Sequence, residues 1–275
     1  MPPESIRAAA TSADAAGLDD FWISEDCFAE SAVASAVAAL AVTERVRVGI
    51  ALLPVPLRSV AQAAMELATI DRLFPGRFVG CIGHGVQMWM QRAGVRAEAP
   101  LTLLREYATA LRRLLDGEEV TTSGRYVSLE EVTLAYPPLQ SPPLLIGAAG
   151  PRSLTAAGEL GTGTVLALGL EVAALKESTA ATLAKAGPGH EVYASLIAAT
   201  GPDARARVDA ELGTYGMPGG PEVGAVGDAR AIADRLLDLA AAGLTGIALQ
   251  PCSDEPDLEG FARFLGEEVR PLLRR

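Results

Sequence analysis

Pro143-Leu144-Leu145-Ile146-Gly147-Ala148-Ala149-Gly150-Pro151-Arg152 holds a whole strand-to-helix transition. A short branched apolar run, approached through the proline-rich stretch Pro137 to Pro143, reads as a strand buried on both faces. Small residues then turn the chain. Pro151 opens a helix from Arg152 to Leu160 at the position where a missing N–H is no loss. A buried strand that runs straight into a helix is the repeating unit of a parallel sheet.

The same unit recurs in both directions. Upstream, an alanine-rich helix from Ser5 to Ala16 stops at Gly17 and is followed by the strand Phe21-Trp22-Ile23. Ser31 to Ala41 is helical, Val46 to Leu52 a strand, and Val60 to Leu73 a helix with Met65, Leu67, Ile70 and Leu73 on or near one face. Phe78 to Ile82 is the next strand, and Leu101 to Leu115 a long amphipathic helix. Val120 to Leu134 alternates around Ser123-Gly124 as a hairpin does. Downstream come Thr164 to Ala167, a helix from Glu171 to Lys185, Val192 to Ile197, helical segments up to Ala242, Gly246 to Gln250, and a last helix from Leu258 to Leu273.

About seven core strands alternate with helices, and nothing divides residues 1–275 into two domains. That number exceeds the usual open sheet and predicts a (β/α)₈ barrel. The chain opens on a helix, so the strand that is lacking or shortened would be the first.

Composition narrows the function. With 49% hydrophobic and 21% charged residues, a large core forms and wholesale disorder is excluded. A net charge of -11 argues against nucleic acid, which needs a basic face. No apolar run reaches the ~20 residues of a membrane span, and no secretory leader pattern opens the chain. Cys27, Cys81 and Cys252 are scattered and lack metal-ligand spacing, which suits a reduced cytoplasm and no metal. Walker A, HExxH and GxSxG patterns are absent, so hydrolase and metalloenzyme readings have no support.

In a parallel barrel the active site sits where the strands end. After Ile23 come Ser24-Glu25-Asp26-Cys27. Two carboxylates there suit a cofactor edge or proton transfer, and equally the capping of the next helix. After Ile82 comes Gly83-His84-Gly85, which places an imidazole between glycines at a strand end. His190 precedes a strand and reads as structural. Met88-Trp89-Met90 suits either the wall of a flat ligand or plain packing. The loop Ala148-Ala149-Gly150-Pro151-Arg152-Ser153 offers free amides at a helix N-terminus, a phosphate cradle, or else an ordinary tight turn. The next strand end, Leu168-Gly169, strengthens the first reading, because late barrel loops commonly share phosphate binding.

These pieces together resemble the bacterial luciferase-like flavin and deazaflavin oxidoreductases. The resemblance is carried by Ala15 to Asp26, by Ala68-Thr69-Ile70-Asp71-Arg72-Leu73-Phe74-Pro75-Gly76-Arg77-Phe78 and by Gly80 to Gly85. It continues in Leu104-Arg105-Glu106-Tyr107 with Leu114 to Gly117, in Gly124-Arg125-Tyr126 and in Pro143 to Arg152. Six pieces in the family's order make it specific.

The resemblance implies a barrel, usually dimeric, that holds coenzyme F420 or FMN at the strand ends. It implies a non-prolyl cis peptide near Ala51-Leu52 against the ring. It also implies cofactor contacts at Glu25, Ala51, Leu52, Ala148, Ala149, Gly150, Pro151, Arg152 and Gly169. Where the family carries a His after the acidic residue, this chain has Asp26; we expect Asp26 and His84 to be the catalytic pair. The expected function is hydride transfer between coenzyme F420 and a small organic substrate by a cytoplasmic homodimer. An FMN-dependent monooxygenase is the alternative, and a degenerate flavin-binding or assembly protein without turnover is the third reading.

Overall fold

The computed structural model describes residues 2–273. Seven parallel strands form one curled sheet in the order β1 (Asp20–Ile23), β2 (Arg47–Pro54), β3 (Phe78–Gly83), β6 (Leu144–Ala148), β7 (Gly163–Leu166), β8 (Glu191–Ala199) and β10 (Gly246–Pro251). Between β3 and β6 lies the antiparallel hairpin of β4 (Val120–Ser123) and β5 (Ser128–Val132). The two-residue strand β9 (Ala225–Val226), which sequence periodicity read as part of a helical run, pairs with the C-terminal end of β8. Two residues are too few to show an apolar period.

Helices α1 (Ile6–Ala15), α2 (Ala32–Leu40), α3 (Val60–Leu73), α4 (Gln87–Arg92) and α5 (Pro100–Leu115) cover the first part of the sheet. The later strands are followed by α6 (Pro151–Leu160), α7 (Val172–Leu183), α8 (Ala204–Thr214), α9 (Ala229–Ala241), α10 (Leu258–Phe264) and α11 (Arg270–Leu273). None of the described helices is long and apolar enough to cross a membrane. On α3 the buried face is Val60, Ala63, Ala64, Leu67, Ala68 and Ile70. Met65 and Leu73, read from the sequence as part of that face, are exposed, because small alanines make the close contact with the sheet.

The barrel interior is filled by alternate residues of each strand, among them Val79, Cys81, Leu145 and Val165. At its lower end the Trp22 and Tyr193 rings lie 4.9 Å apart between centroids. They fit because two partners have no side chain: a Cβ at Gly49 would enter the Trp22 ring, and one at Gly246 the Tyr193 ring. The Arg47 guanidinium donates to Asp20 at 2.7 Å and to the Tyr193 hydroxyl at 3.0 Å, which ties β1, β2 and β8 together across the interior.

Among the described residues no strand precedes α1, and β1 and β10 are the two unpaired edges of the sheet. Helices close the seam instead. From α10 the chain passes through a π turn, Leu265–Val269, into α11, with Gly266 set against the Ala16 carbonyl and Arg270 donating to Asp19 at 2.7 Å. Gly17, at a φ of 71°, ends α1 in the left-handed conformation and turns the chain into β1.

Two sequence motifs prove to be structural staples. Arg77, of the Gly76-Arg77-Phe78 motif, donates to the carbonyl of Thr43 at 2.6 Å and to that of Val46 at 3.0 Å, fixing the approach to β2. Glu106 accepts from the amides of Arg125, Tyr126 and Val127 and so pins the hairpin turn onto α5.

His190 is structural, as its position before a strand suggests: it is buried and hydrogen-bonded to Thr164 at 2.9 Å. Burial lowers its pKa against the opposing pull of the Gly161 carbonyl and the Glu191 charge, and burial also lowers that of His84. Between those lowered values and the ~6.5 of an unfolded histidine, the unfolded chain binds more protons. Stability therefore holds above about pH 6.5 and is lost as the pH falls through that window. Thermal midpoints measured between pH 7.5 and 5.5 should fall, and His190→Gln should flatten the slope.

Candidate active site

All seven core strands point the same way, so the segments after them meet at one rim. The floor of that rim is Leu52. The peptide between Ala51 and Leu52 is cis, where the resemblance places one, and a second non-prolyl cis peptide joins Cys27 and Phe28. The Leu52 side chain lies across two neighbouring strand ends. A Cβ at Gly83 would come within 2.6 Å of it, and one at Gly147 would overlap it. Glycines at both strand ends are what let a leucine form the floor.

Beside this floor opens a cavity of about 570 Å³, lined by His84, residues Glu98 to Thr102 at the start of α5, and Gly150 to Ser153 at the start of α6. His84 is half-buried in its lining. One ring nitrogen, Nδ1, is buried and has no hydrogen-bond partner among the described residues. Burial holds the imidazole below its ordinary pKa, with the Pro100 carbonyl pulling the other way, so the ring is neutral at pH 7.

The α6 end of the cavity is shaped for an anion. The Ser153 hydroxyl accepts from the amides of Ala149 and Gly150, at 3.2 and 3.1 Å, and donates to the Gly150 carbonyl at 2.9 Å, which sets the turn. Pro151 has no N–H, so the amides of Arg152 and Ser153 stand at the helix N-terminus without intrahelical acceptors. Gly150 itself has ordinary extended torsions, φ -96° and ψ 164°, and a Cβ there would meet nothing within 4 Å. Neither the backbone nor a protein neighbour requires glycine at this point. A side chain would simply occupy the cavity.

The remaining sequence-nominated residues lie elsewhere on the rim. Glu25 accepts from the Ala32 amide at 3.1 Å and pairs with both terminal nitrogens of Arg58, one of them at 2.8 Å. Its carboxylate caps α2 and holds a guanidinium. Asp26 does not line the cavity. It is half-buried, and burial, with the Glu30 charge adding, raises its pKa above the usual carboxylate range. Gly169, at a φ of 78°, lies beneath Met217, whose Cγ would be 3.2 Å from a Cβ there. Ala148 is buried in β6, and Ala149 is exposed on the turn. Of the Met88-Trp89-Met90 segment, Met90 is fully buried and Met88 exposed.

His84, Gly150, Pro151 and Arg152 thus line one cavity, and Asp26 is not among its lining residues. Sequence reasoning missed Arg58, which follows an irregular proline-rich stretch, and the start of α5. It also missed the segment after α8 that covers Gly169. Among the described residues there is no cluster of three or more potential metal ligands.

Comparison with known proteins agrees with this architecture. The family model for luciferase-like monooxygenases matches residues 1–219. A 5,10-methylenetetrahydromethanopterin reductase of Archaeoglobus fulgidus is 33% identical over 186 residues, which are 66% of this chain and 55% of the relative. An F420-dependent glucose-6-phosphate dehydrogenase of Kineococcus radiotolerans is 31% identical over 179 residues, 61% of this chain and 53% of that protein. The chain spans about half the length of these curated relatives. Among solved structures, an F420-dependent secondary alcohol dehydrogenase in complex with an F420-acetone adduct superposes with a TM-score of 0.88 at 19% identity, covering 100% of this chain and 96% of that one. The oxygenating constituent of 3,6-diketocamphane monooxygenase from Pseudomonas putida, bound to FMN, gives 0.76 at 17% identity over 98% and 92% of the two chains. At these identities the structures report the shared fold.

Proposed function

Because this chain belongs to the luciferase-like monooxygenase family, we propose that it is an oxidoreductase that uses coenzyme F420 at the mouth of the barrel to act on a small organic substrate. The observation that carries the reading is the α6 end of the cavity, where two free helix amides and Arg152 surround the open space at Gly150. An anionic coenzyme tail fits that donor set by hydrogen bonding and by the helix dipole together. The Ala51-Leu52 segment and its glycine-backed floor would support the ring. His84, whose pKa burial lowers, is the histidine that lines the same cavity. When bound, the deazaflavin supplies hydride chemistry, and the chain supplies binding, orientation and exclusion of water.

The preference for coenzyme F420 rests on relatives 29–33% identical, which are reductases and dehydrogenases of methanopterin and F420 chemistry. FMN is the second reading. Its phosphate suits the same helix end, and an FMN-bound monooxygenase shares the fold. A homodimer belongs to the proposal as well: Met65 and Leu73 on α3 are exposed apolar side chains.

Gly150→Val tests the site. The variant should fold normally, with stability within about 0.5 kcal/mol of the parent, since the backbone is extended and a Cβ there meets nothing within 4 Å. Its affinity for coenzyme F420, read from coenzyme fluorescence, should fall by roughly tenfold or more, which corresponds to ~1.4 kcal/mol. Unchanged affinity in a folded variant would place the coenzyme elsewhere.

A further inference from the structure

The cavity between the starts of α5 and α6 is larger than one phosphate requires. Its volume, about 570 Å³, falls in the range of pockets that enclose a whole small molecule. Both walls are held in place. The Ala99 amide, at the start of α5, donates to the Tyr126 hydroxyl at 2.8 Å, and Glu106 pins the same hairpin onto α5. Further along, Arg105 of α5 donates to Glu159 of α6 at 2.7 Å. Like α6, α5 opens with a proline, Pro100, and has no side-chain cap. The amides of Leu101 and Thr102 therefore lack intrahelical acceptors.

The charges on these walls are uneven. Two side chains of the lining carry a full charge, Glu98 and Arg152. Arg125 donates to Glu98 at 2.6 Å and offsets its charge. Arg152 has no such counterpart: among the described residues its guanidinium makes no ion pair and no hydrogen bond. It is the second residue of α6, where the helix dipole repels a cation, and no acidic side chain stands in that first turn. In a chain of net charge -11, a guanidinium left unpaired at a positive helix end lowers the stability of the free protein. An anion in the cavity reverses the sign of that contribution.

We propose that Arg152 binds a carboxylate of the glutamyl tail of coenzyme F420, beyond the phosphodiester that the α6 amides hold, with the open end of α5 as the facing wall. Arg152 is then the residue that favours a tailed coenzyme over FMN, whose chain ends at its phosphate. Specificity of this kind is a difference of affinities, and one guanidinium that only the tail engages is enough to create it. The inference rests on the coenzyme reading proposed above and deepens it. That reading needs one anion site at the helix end, and Arg152 supplies a second.

Three ligands with one ring separate the two sites: the deazariboflavin of coenzyme F420, the 5′-phosphate of that deazariboflavin, and coenzyme F420 itself. Each is titrated by its fluorescence against the full chain and against Arg152→Gln, at about 0.05 M and about 0.5 M salt. At low salt Arg152→Gln should weaken coenzyme F420 about fivefold, the size of one exposed ion pair, and the 5′-phosphate by less than about twofold. The difference should shrink at high salt. Without ligand, the thermal midpoint of the variant should rise by about 1 °C, because the change removes a cation from a positive helix end. Equal losses for coenzyme F420 and the 5′-phosphate would put Arg152 at the phosphate and overturn the proposal. Unchanged affinity for coenzyme F420, or a lowered midpoint, which marks a structural role, would overturn it too. A 5′-phosphate that binds no more tightly than the unphosphorylated deazariboflavin would instead remove the α6 phosphate site, and both readings with it.

Discussion

Arg58→Ala should destabilise the protein by about 3–5 kcal/mol, the range for removing one partner of a buried ion pair. The Arg58 and Glu25 side chains are only 12% and 8% exposed. Burial opposes the Arg58 charge, yet the hydrogen bonds and charge of Glu25, and then of Glu66, leave its pKa above the ordinary value. Without the guanidinium, Glu25 and Glu66 face each other across the space it filled, with Glu25 still fixed at the Ala32 amide. Denaturant unfolding measures the loss. Glu25→Gln combined with Arg58→Met should cost clearly less than the sum of the single changes, because no uncompensated buried charge remains. Additive losses would mean that the pair is not coupled. The expectation has a functional side too, since Glu25 anchors the segment that carries Asp26.

Gly266→Val should cost about 2–3 kcal/mol, the upper part of the range for forcing atoms into a packed site. A Cβ at Gly266 would overlap the Ala16 carbonyl oxygen and stand 2.7 Å from the Ala16 Cβ. The obstruction is main chain and cannot rotate away. To relieve it, the π turn and α11 must retreat from α1, which draws Arg270 away from Asp19 and opens the seam between β1 and β10. Thermal unfolding gives the size of the effect. Gly94→Val is the control for valine at a glycine with open space around it, since a Cβ there meets nothing within 4 Å, although its φ of 74° adds backbone strain. If Gly266→Val is no more damaging than that control, contact between these helices does not close the barrel.

The sheet was legible because its strands are short apolar runs set apart by amphipathic helices, and Val60 to Leu73 matches α3 at both ends. The cis peptide at Ala51-Leu52 and the strand-end position of His84 followed from resemblance and topology. On α3, periodicity placed Leu67 and Ile70 inward as observed but could not show that alanines, rather than Met65 and Leu73, complete that face. Nor could it reveal that Glu25 is engaged by Arg58, a partner 33 residues away beyond a strand. The segment from Tyr215 to Val223 has no regular period, and its staples reach back to α8 and forward to α9. Such contacts exist only once the chain is folded.

Coenzyme titration of the purified chain tests the central claim most directly. Coenzyme F420 and FMN are added in separate series at physiological ionic strength, and binding is followed by the fluorescence of each. The account predicts saturable binding of coenzyme F420, tighter than that of FMN. Tighter binding of FMN, or binding of neither, would contradict it.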